Sequence, residues 1–224
     1  MSKAKVRKKP DQFKKSYEFW SDWYDWLADL FSFQLIKASK EVHLSFLNRD
    51  DRVLYPGMGS GQEMVAAVRA GAKVTGIDIS PQMVKKAKNR LANSGWQVEL
   101  CESDVKEHLR PCFYDLIAAH YFLNLYRKDE AIIVLRRLAE QLKQNGLIVV
   151  ADFVYPGKNP KDALTHIYYW TINLIGACLG LAKLHPPHDY KEYFSHVGFH
   201  IVKSQRIGFG KGPALFQVWV GRKD

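Results

Sequence analysis

Three glycines in the segment VLYPGMGSGQE, residues 53–63, constrain the fold more than any other feature of the sequence. They are Gly57, Gly59 and Gly61. The apolar residues before them predict a short buried strand, and a helical pattern follows from Gln62 to Ala70. A strand, a glycine loop and a helix in this order are how a parallel α/β sheet receives a nucleotide-like ligand at the carboxyl end of its first strand. Glycine suits this loop because, without a Cβ atom, it reaches positive φ and lets the main chain lie against the ligand.

The spacing of these glycines separates classes of ligand. A dinucleotide site has the pattern G-x-G-x-x-G, and here its third glycine position holds Gln62. A P-loop has a lysine after its last glycine, and none follows Gly61. The loop has the spacing G-x-G-x-G and resembles motif I of the class I S-adenosylmethionine (SAM) methyltransferases. Taken alone, it is also compatible with an ordinary βα turn that binds nothing.

Strand and helix patterns alternate along the chain after residue 51. The predicted strands are Arg52–Tyr55, Lys73–Ile77, Trp96–Cys101, Asp115–Ala119 and Leu147–Phe153. The predicted helices are Gln62–Ala70, a Ser80-capped helix from Pro81 to about Asn93, and Lys128–Lys143, which is expected to stop at Gly146. This alternation predicts a doubly wound, mostly parallel α/β sheet.

Two more strands are predicted near the carboxyl end, at about His200–Arg206 and Leu215–Gly221. They resemble the antiparallel hairpin of the methyltransferase family, in which the last strand lies beside the fifth. The resemblance therefore implies a Rossmann-like, mostly parallel sheet of seven strands with an antiparallel carboxyl-terminal strand.

Three further segments complete the predicted organisation. Residues 1–11 are a basic tail, and residues 12–224 form a single domain. Residues 12–48 form an amino-terminal helical cap, with aromatic residues at three- and four-residue steps. Residues 154–192 form an apolar helical insert, in which Ile167–Ala182 carries no charge but, at sixteen residues, is short for a membrane span. We therefore expect a buried or interfacial helix pair that acts as a lid.

Acidic residues follow the second and third predicted strands, where they can reach a nucleoside. Asp78 lies about twenty residues past the first glycine, the spacing at which a carboxylate accepts hydrogen bonds from ribose hydroxyls. Ile79 and Met83 would pack against the adenine. Asp104 can accept from the adenine amino group, and the next main-chain N–H, of Val105, faces the ring. The alternatives are a turn aspartate at position 78 and a helix N-cap at position 104.

Polar residues also follow the fourth predicted strand, in the segment YDLIAAHYFLNLY. In a sheet of this kind they lie between the cofactor and the acceptor. His120 and Tyr121 are the candidate catalytic residues, since a histidine can act as a general base near neutral pH. Asn124 is a candidate for contact with the acceptor. The alternative for His120 is a hydrogen-bonded structural histidine.

Metal chemistry is not expected. His185 and His188 have ligand-like spacing, but two prolines lie between them and no cysteine or acidic cluster adjoins them. The three cysteines are scattered and odd in number, which favours a reducing compartment. We therefore predict no metal site and a cytoplasmic location.

The glycine loop, the two acidic residues and the polar segment occur in the order typical of class I methyltransferases, over about Arg52–Phe153. This resemblance implies that the cofactor is SAM and that its contacts are the three loop glycines with Tyr55, Asp78, Ile79, Met83, Asp104, Val105 and His120. A narrower resemblance, to the ubiquinone/menaquinone C-methyltransferases, comes from SDWYDWLADLFSF near the amino end and HPPHDYKEYFSHVGF near the carboxyl end. We expect the acceptor contacts to be Tyr24, Tyr121, Asn124 and Trp170.

Two positions depart from these patterns. Motif I opens with an acidic residue two positions before its first glycine, and this chain has Tyr55 there. The amino group of SAM would then bind loop carbonyls or Glu63, or the ligand is a variant of SAM. The ubiquinone/menaquinone enzymes have an Arg-Asn pair where this chain has Leu123 and Asn124.

These observations predict a SAM-dependent methyltransferase with a small lipophilic acceptor, such as a quinone or a polyprenyl phenol. A phospholipid or another small molecule methylated on nitrogen or oxygen is the nearest alternative. The net charge of +10 and the basic amino end keep two other classes open, namely an RNA- or protein-modifying enzyme and a non-catalytic SAM-fold protein that binds a membrane or a partner. We expect no nucleic-acid partner, because no RNA-binding module is recognisable. The basic tail and the apolar insert suit peripheral membrane contact.

Overall fold

A mixed sheet of seven strands forms the centre of the protein. The computed structural model describes residues 34–92, 96–155, 162–178, 184–208 and 213–224. The strands are β1 (Arg52–Pro56), β2 (Lys73–Asp78), β3 (Val98–Glu102), β4 (Tyr114–His120), β5 (Leu142–Phe153), β6 (Phe199–Gly208) and β7 (Ala214–Lys223). The helices are α1 (residues 34–41), α2 (Met64–Arg69), α3 (Pro81–Leu91), α4 (Lys128–Gln141), α5 (Ala163–Cys178) and α6 (Tyr190–Val197), with 3-10 turns at Val42–Phe46 and Leu123–Leu125.

The strand order is β3-β2-β1-β4-β5-β7-β6. Strands β1 to β5 are parallel, and β7 is antiparallel to both β5 and β6. The predicted fold class is therefore confirmed, including the last strand beside the fifth. The order of strands reverses direction between β1 and β4, and in open α/β sheets ligands bind at the carboxyl ends of the strands beside such a point.

Residues of the central strands alternate between two hydrophobic cores. Val53 and Leu116 lie in the core formed with α2 and α3, whereas Leu54 and Ile117 lie in the core formed with α4 and α6. Because both faces of the sheet are covered, the buried interior residues of these strands are mostly apolar, as in buried parallel strands. The two cores hold the carboxyl ends of β1 and β4 in fixed positions.

Local signals place most helix ends as predicted. The Ser80 side chain accepts from the Met83 N–H, and Pro81 occupies the first turn of α3. Gly198 ends α6 with φ of 82° and donates its N–H to the Phe194 carbonyl.

The start of β5 differs from the prediction. The strand begins at Leu142 instead of Leu147, and Gly146 lies inside it instead of ending α4. Tyr114 pairs with Leu142 and Leu116 pairs with Leu147, so residues 143–146 form a bulge in the ladder. The polar sequence of this bulge resembles the end of a helix, and the long-range pairing with β4 decides the outcome.

The amino-terminal cap and the insert are described in part. The predicted basic tail, Tyr24 and most of the cap lie outside the described residues, as does the end of the apolar stretch, residues 179–182. The described part of that stretch belongs to α5, which buries Thr165, Tyr169 and Gly176. None of the helices in the described ranges has the length and apolar character needed to cross a membrane.

Candidate active site

The glycine loop has the backbone geometry that its sequence predicts. All three loop glycines adopt positive φ, of 64° at Gly57, 55° at Gly59 and 74° at Gly61. A Cβ atom at Gly57 would lie 2.5 Å from the Phe122 ring, and one at Gly61 would lie 3.0 Å from Cβ of Ala87. At Gly59, no heavy atom of the described residues would lie within 4 Å of it. Packing therefore requires the outer two glycines, and the middle one faces open space in which a ligand fits against the main chain.

Asp78 ends β2 beside this loop and is held in place by main-chain donors. One carboxylate oxygen accepts from the Gly59 N–H and the other from the Ser80 N–H, each at 2.9 Å. Burial raises the pKa of Asp78, although these N–H groups oppose the rise. The Ile79 N–H is a third main-chain donor to this carboxylate, which leaves a lone pair free to accept from a ribose hydroxyl.

The predicted adenine contacts differ in exposure. Ile79 is 58% exposed and offers an apolar surface next to Asp78, whereas Met83 is buried in the core beneath α3. Asp104 is half-buried and caps a turn by accepting from the Lys106 N–H at 2.9 Å. No helix follows Asp104 in the described chain before β4, so the side chain caps a turn and not the short helix of the N-cap alternative. The adenine contacts of Met83, Asp104 and the buried Val105 stay predictions.

Tyr55, which replaces the expected acid of motif I, is joined to a histidine that the sequence did not single out. The phenol of Tyr55 and Nε2 of His43 lie 2.6 Å apart. Nδ1 of His43 contacts the Lys40 carbonyl, which can only accept, so Nδ1 carries the proton and the Tyr55 hydroxyl donates to Nε2. Burial, followed by the nearby His120, lowers the pKa of His43 to about 3, and burial raises the pKa of Tyr55. Both groups are therefore neutral at physiological pH.

Glu63 connects the loop to the end of β4. One of its oxygens lies 2.5 Å from Nδ1 of His120, and the other lies 2.6 Å from Nζ of Lys40. Burial alone would raise the pKa of Glu63, but Lys40 and His120 outweigh it and lower the pKa to about 2. The sequence suggested Glu63 only as a partner for the amino group of SAM, and no pattern linked it to Lys40. Because the Glu63 carboxylate already binds His120 and Lys40, the structure agrees better with the other alternative, in which loop carbonyls bind the amino group of SAM.

His120 ends β4 and is 6% exposed. Its ring centroid lies 4.8 Å from that of His43 and 6.4 Å from that of Tyr55. The Nε2 atom of His120 is buried and has no hydrogen-bond partner within the part of the chain that the structure describes. This unpaired nitrogen is compatible with both a catalytic role and a cofactor contact.

Tyr121 follows at φ of 50° and points its ring into an aromatic cluster with Phe153 and Phe216. Its hydroxyl lies 2.8 Å from the Ser39 hydroxyl. Burial raises the pKa of Tyr121 well above its ordinary value, so the phenol keeps its proton. This environment disfavours Tyr121 as the base and suits it to a positioning role.

The remaining predicted acceptor contacts lie near a second buried polar cluster. The Asn124 side chain hydrogen-bonds to the Asp152 carboxylate at the end of β5, and the main-chain carbonyl of Asn124 lies 2.8 Å from Nε2 of His185. Burial raises the pKa of Asp152 to about 6, although Tyr190 donates to it. Trp170 lies on α5 and is 42% exposed. The acceptor contacts of Asn124 and Trp170 stay predictions.

His185 and His188, the two histidines with ligand-like spacing, belong to this second cluster. His185 and His188 stack with ring centroids 4.5 Å apart, and Nδ1 of His188 contacts the Tyr193 hydroxyl at 2.6 Å. Burial, followed by His185, lowers the pKa of His188 to about 4. The described residues contain no group of three or more side chains arranged to hold a metal ion.

Comparison with known proteins shows which family model and which relatives this chain matches. Residues 53–146 match the family model described as a methyltransferase domain. The chain is 26% identical over 137 residues to the carboxy-S-adenosyl-L-methionine synthase of Nautilia profundicola, covering 58% of this chain and 56% of that protein. It is 28% identical over 163 residues to the magnesium-protoporphyrin O-methyltransferase of Rhodobacter capsulatus, covering 71% of this chain and 67% of that protein. The chain thus spans about half to two thirds of the length of these relatives.

A solved structure supports the same fold. The 1,6-didemethyltoxoflavin-N1-methyltransferase of Burkholderia thailandensis, solved with S-adenosylhomocysteine, superposes with a TM-score of 0.67 at 19% identity. The match covers 93% of this chain and 87% of that one. At this identity the likeness concerns the fold, and it agrees with the sheet order described above. The resemblance to class I methyltransferases, and SAM as the cofactor of that superfamily, are confirmed.

Proposed function

Because the chain belongs to the class I SAM-dependent methyltransferase superfamily, we propose that it transfers the methyl group of SAM to a small lipophilic acceptor of the quinol or polyprenyl-phenol type. The observation that carries the proposal is the adjacency of an open glycine loop and an unpaired buried nitrogen on His120. The loop suits the cofactor, and the nitrogen suits removal of a proton from the acceptor.

The residues around the loop fit SAM. Gly59 leaves space for the ligand against the main chain, and main-chain donors orient the Asp78 carboxylate beside it, where it can accept from a ribose hydroxyl. The exposed Ile79 offers an apolar surface beside them for the adenine. When bound, SAM supplies an electrophilic methyl group on its sulfonium.

Aromatic side chains near the carboxyl end of β5 support a lipophilic acceptor. Tyr121, Phe153 and Phe216 pack with centroid separations of 5.6 to 6.1 Å, and Tyr168 of α5 packs against Phe153 and Phe216. Relatives named for magnesium protoporphyrin and for 1,6-didemethyltoxoflavin point to small organic acceptors in this family. Aromatic side chains favour contact with a flat apolar ring over contact with a polar chain.

The reaction is an in-line displacement at the methyl carbon. The protein aligns the acceptor with that carbon and excludes water, and alignment alone contributes roughly 7–11 kcal/mol to lowering the barrier. A phenol or a quinol carbon must also lose a proton. His120 is the group at this site whose buried nitrogen can take it.

The test is transfer of tritium from methyl-labelled SAM to a polyprenyl phenol. We expect label in the phenol with wild type and a large loss with His120→Gln, measured against an unchanged melting temperature. Label in RNA or protein but not in the phenol would support the modifying-enzyme alternative. SAM binding without transfer to any of these acceptors would support the non-catalytic alternative.

We also propose peripheral contact with the cytoplasmic face of a membrane. Its support is the row of exposed apolar residues on α5, including Leu164, Ile167 and Leu174 at 62%, 63% and 55% exposed, together with the net charge of +10. Flotation with anionic liposomes tests this. We expect Ile167→Glu to reduce binding and Ile133→Glu, on α4 at 54% exposed, to leave it unchanged.

A further inference from the structure

We propose that Glu63 is a positioning residue that fixes the proton of His120 on Nδ1. The other ring nitrogen, Nε2, can then take a proton from the molecule that receives the methyl group. The assignment of a base rests on the proposed function, but the tautomer is a property of the protein without any ligand. The proposal narrows the acceptor to a molecule with an ionisable O–H, as in a phenol or a quinol.

The hydrogen-bond geometry determines the tautomer. Nδ1 of His120 lies 2.5 Å from a carboxylate oxygen of Glu63. An ionised carboxylate can only accept, so Nδ1 must donate its hydrogen. In a neutral imidazole the other nitrogen then carries the lone pair. That nitrogen, Nε2, is buried and without a partner among the residues described here, so it remains available to a bound molecule.

The surroundings keep Glu63 ionised, and among the described residues they place no competing base against the His120 ring. Lys40 holds the second oxygen of Glu63 at 2.6 Å, and the side chains of Lys40 and Glu63 are 30% and 22% exposed. The other titratable groups that face the His120 ring are His43 and Tyr55. The lone pair of His43 Nε2 is used by the Tyr55 hydroxyl, so neither of them competes for the proton.

The proton and electron balance of the step is simple. The acceptor O–H gives its proton to Nε2 of His120, and the oxygen forms a bond to the methyl carbon. The carbon–sulfur bond breaks, its electron pair stays on sulfur, and the sulfonium becomes a neutral thioether. The imidazolium is paired with the Glu63 carboxylate until its proton passes to solvent. An acceptor whose nitrogen already has a free lone pair would not need this arrangement.

The decisive experiment is nitrogen NMR of protein labelled with ¹⁵N in its histidines. It needs no ligand. The His120 signals are assigned with His120→Gln, and Glu63→Leu removes the acceptor of the Nδ1 proton. Lys40→Met removes the salt bridge but keeps the Glu63 to His120 contact. Glu41→Leu is the matched control, because it removes an exposed carboxylate of a nearby ion pair with Lys37.

We expect His120 of wild type at pH 7.5 to carry its proton on Nδ1, the minor tautomer of a free histidine. Glu63→Leu should move the proton to Nε2, while Lys40→Met and Glu41→Leu should leave it on Nδ1. A wild-type proton on Nε2 would overturn the proposal even if Glu63→Leu failed to fold. An unchanged tautomer in folded Glu63→Leu would overturn it as well.

A rate measurement separates this proposal from the proposed function. With a polyprenyl phenol and methyl-labelled SAM, we expect Glu63→Leu to lower kcat by about 10²–10⁴-fold, the range for loss of general-base catalysis, with the Kd of SAM within about threefold of wild type. If Glu63→Leu lowered kcat and SAM affinity equally, Glu63 would be assigned to cofactor binding, and the positioning role would be overturned. Wild type that binds SAM without methylating the polyprenyl phenol would contradict the phenol class of acceptor. Absence of SAM binding in wild type would overturn the proposed function and leave the tautomer result standing.

Discussion

Replacing Gly59 with alanine separates the ligand role of the loop from its role in stability. The residue has φ of 55°, and a methyl group there would have no heavy atom of the described residues within 4 Å. The left-handed conformation costs a non-glycine residue about 1–2 kcal/mol. The stiffer unfolded chain of alanine returns about 0.4–1 kcal/mol of this. The net loss of about 1 kcal/mol lowers the melting temperature of a domain of this size by about 2–4 °C.

The effect on SAM affinity should be much larger. The new methyl group would occupy the space in which we place the ligand against the loop, so we expect Gly59→Ala to weaken SAM binding tenfold or more, which is about 1.4 kcal/mol. The assay is calorimetric titration of SAM, paired with thermal melting of the same samples. Gly57→Ala is a less clean change, because its Cβ would overlap the Phe122 ring and add about 1–3 kcal/mol of packing strain.

Gly198→Ala is the matched control for this prediction. Gly198 has φ of 82°, its Cβ would also meet no heavy atom of the described chain within 4 Å, and it ends α6 away from the loop. We expect it to lower the melting temperature by a similar amount and to leave the Kd of SAM unchanged. Equal SAM affinity in wild type and folded Gly59→Ala would refute the account of the loop as the cofactor site.

Two further predictions concern the network around the loop. Lys40 and His120 lower the pKa of Glu63 from 4.5 to about 2, so the ionised carboxylate stabilises the fold, and this contribution is lost as the pH falls from about 4.5 towards 2. The melting temperatures of wild type and Glu63→Gln should therefore differ at pH 7 and converge in acid. A gap that stays constant with pH would contradict the ion pair of Glu63 with Lys40. Tyr55→Phe leaves the buried Nε2 of His43 without its hydrogen-bond donor. The free energy of unfolding, measured by chemical denaturation, should therefore fall by about 1–3 kcal/mol. A free energy of unfolding equal to that of wild type would contradict that hydrogen bond.

Local patterns predict much of the fold and part of the site. The glycine spacing, the Ser80 cap and the apolar strands are short-range signals, and each of them led to an element that the structure contains. The position of Asp78 beside the loop is also predictable, because its distance from the loop is set by one strand-helix-strand unit, and its contact with ribose stays a prediction. The start of β5 was misjudged because pairing of Leu142 with Tyr114 is a long-range contact.

The network around His120 has no comparable signal in the sequence. Lys40, Glu63 and His120 come from α1, the start of α2 and the end of β4, and only the packed fold brings them together. The role of His43 also has no signal in the sequence, because His43 lies in a 3-10 turn before β1 and contacts Tyr55 only in the tertiary structure. The tyrosine at position 55, where motif I has an acid, is visible in the sequence. The structure explains it by the hydrogen bond between Tyr55 and His43.

Calorimetric titration of SAM into wild type and Asp78→Ala is the most direct test of the central claim that the loop and Asp78 form a SAM site. Asp115→Ala is the control, because Asp115 also accepts a main-chain N–H, from Arg52 at 2.9 Å, but at the opposite end of the sheet. We expect micromolar binding to wild type and to Asp115→Ala, and at least a tenfold loss in Asp78→Ala. No binding of SAM to wild type, or equal affinity in folded Asp78→Ala, would contradict the account.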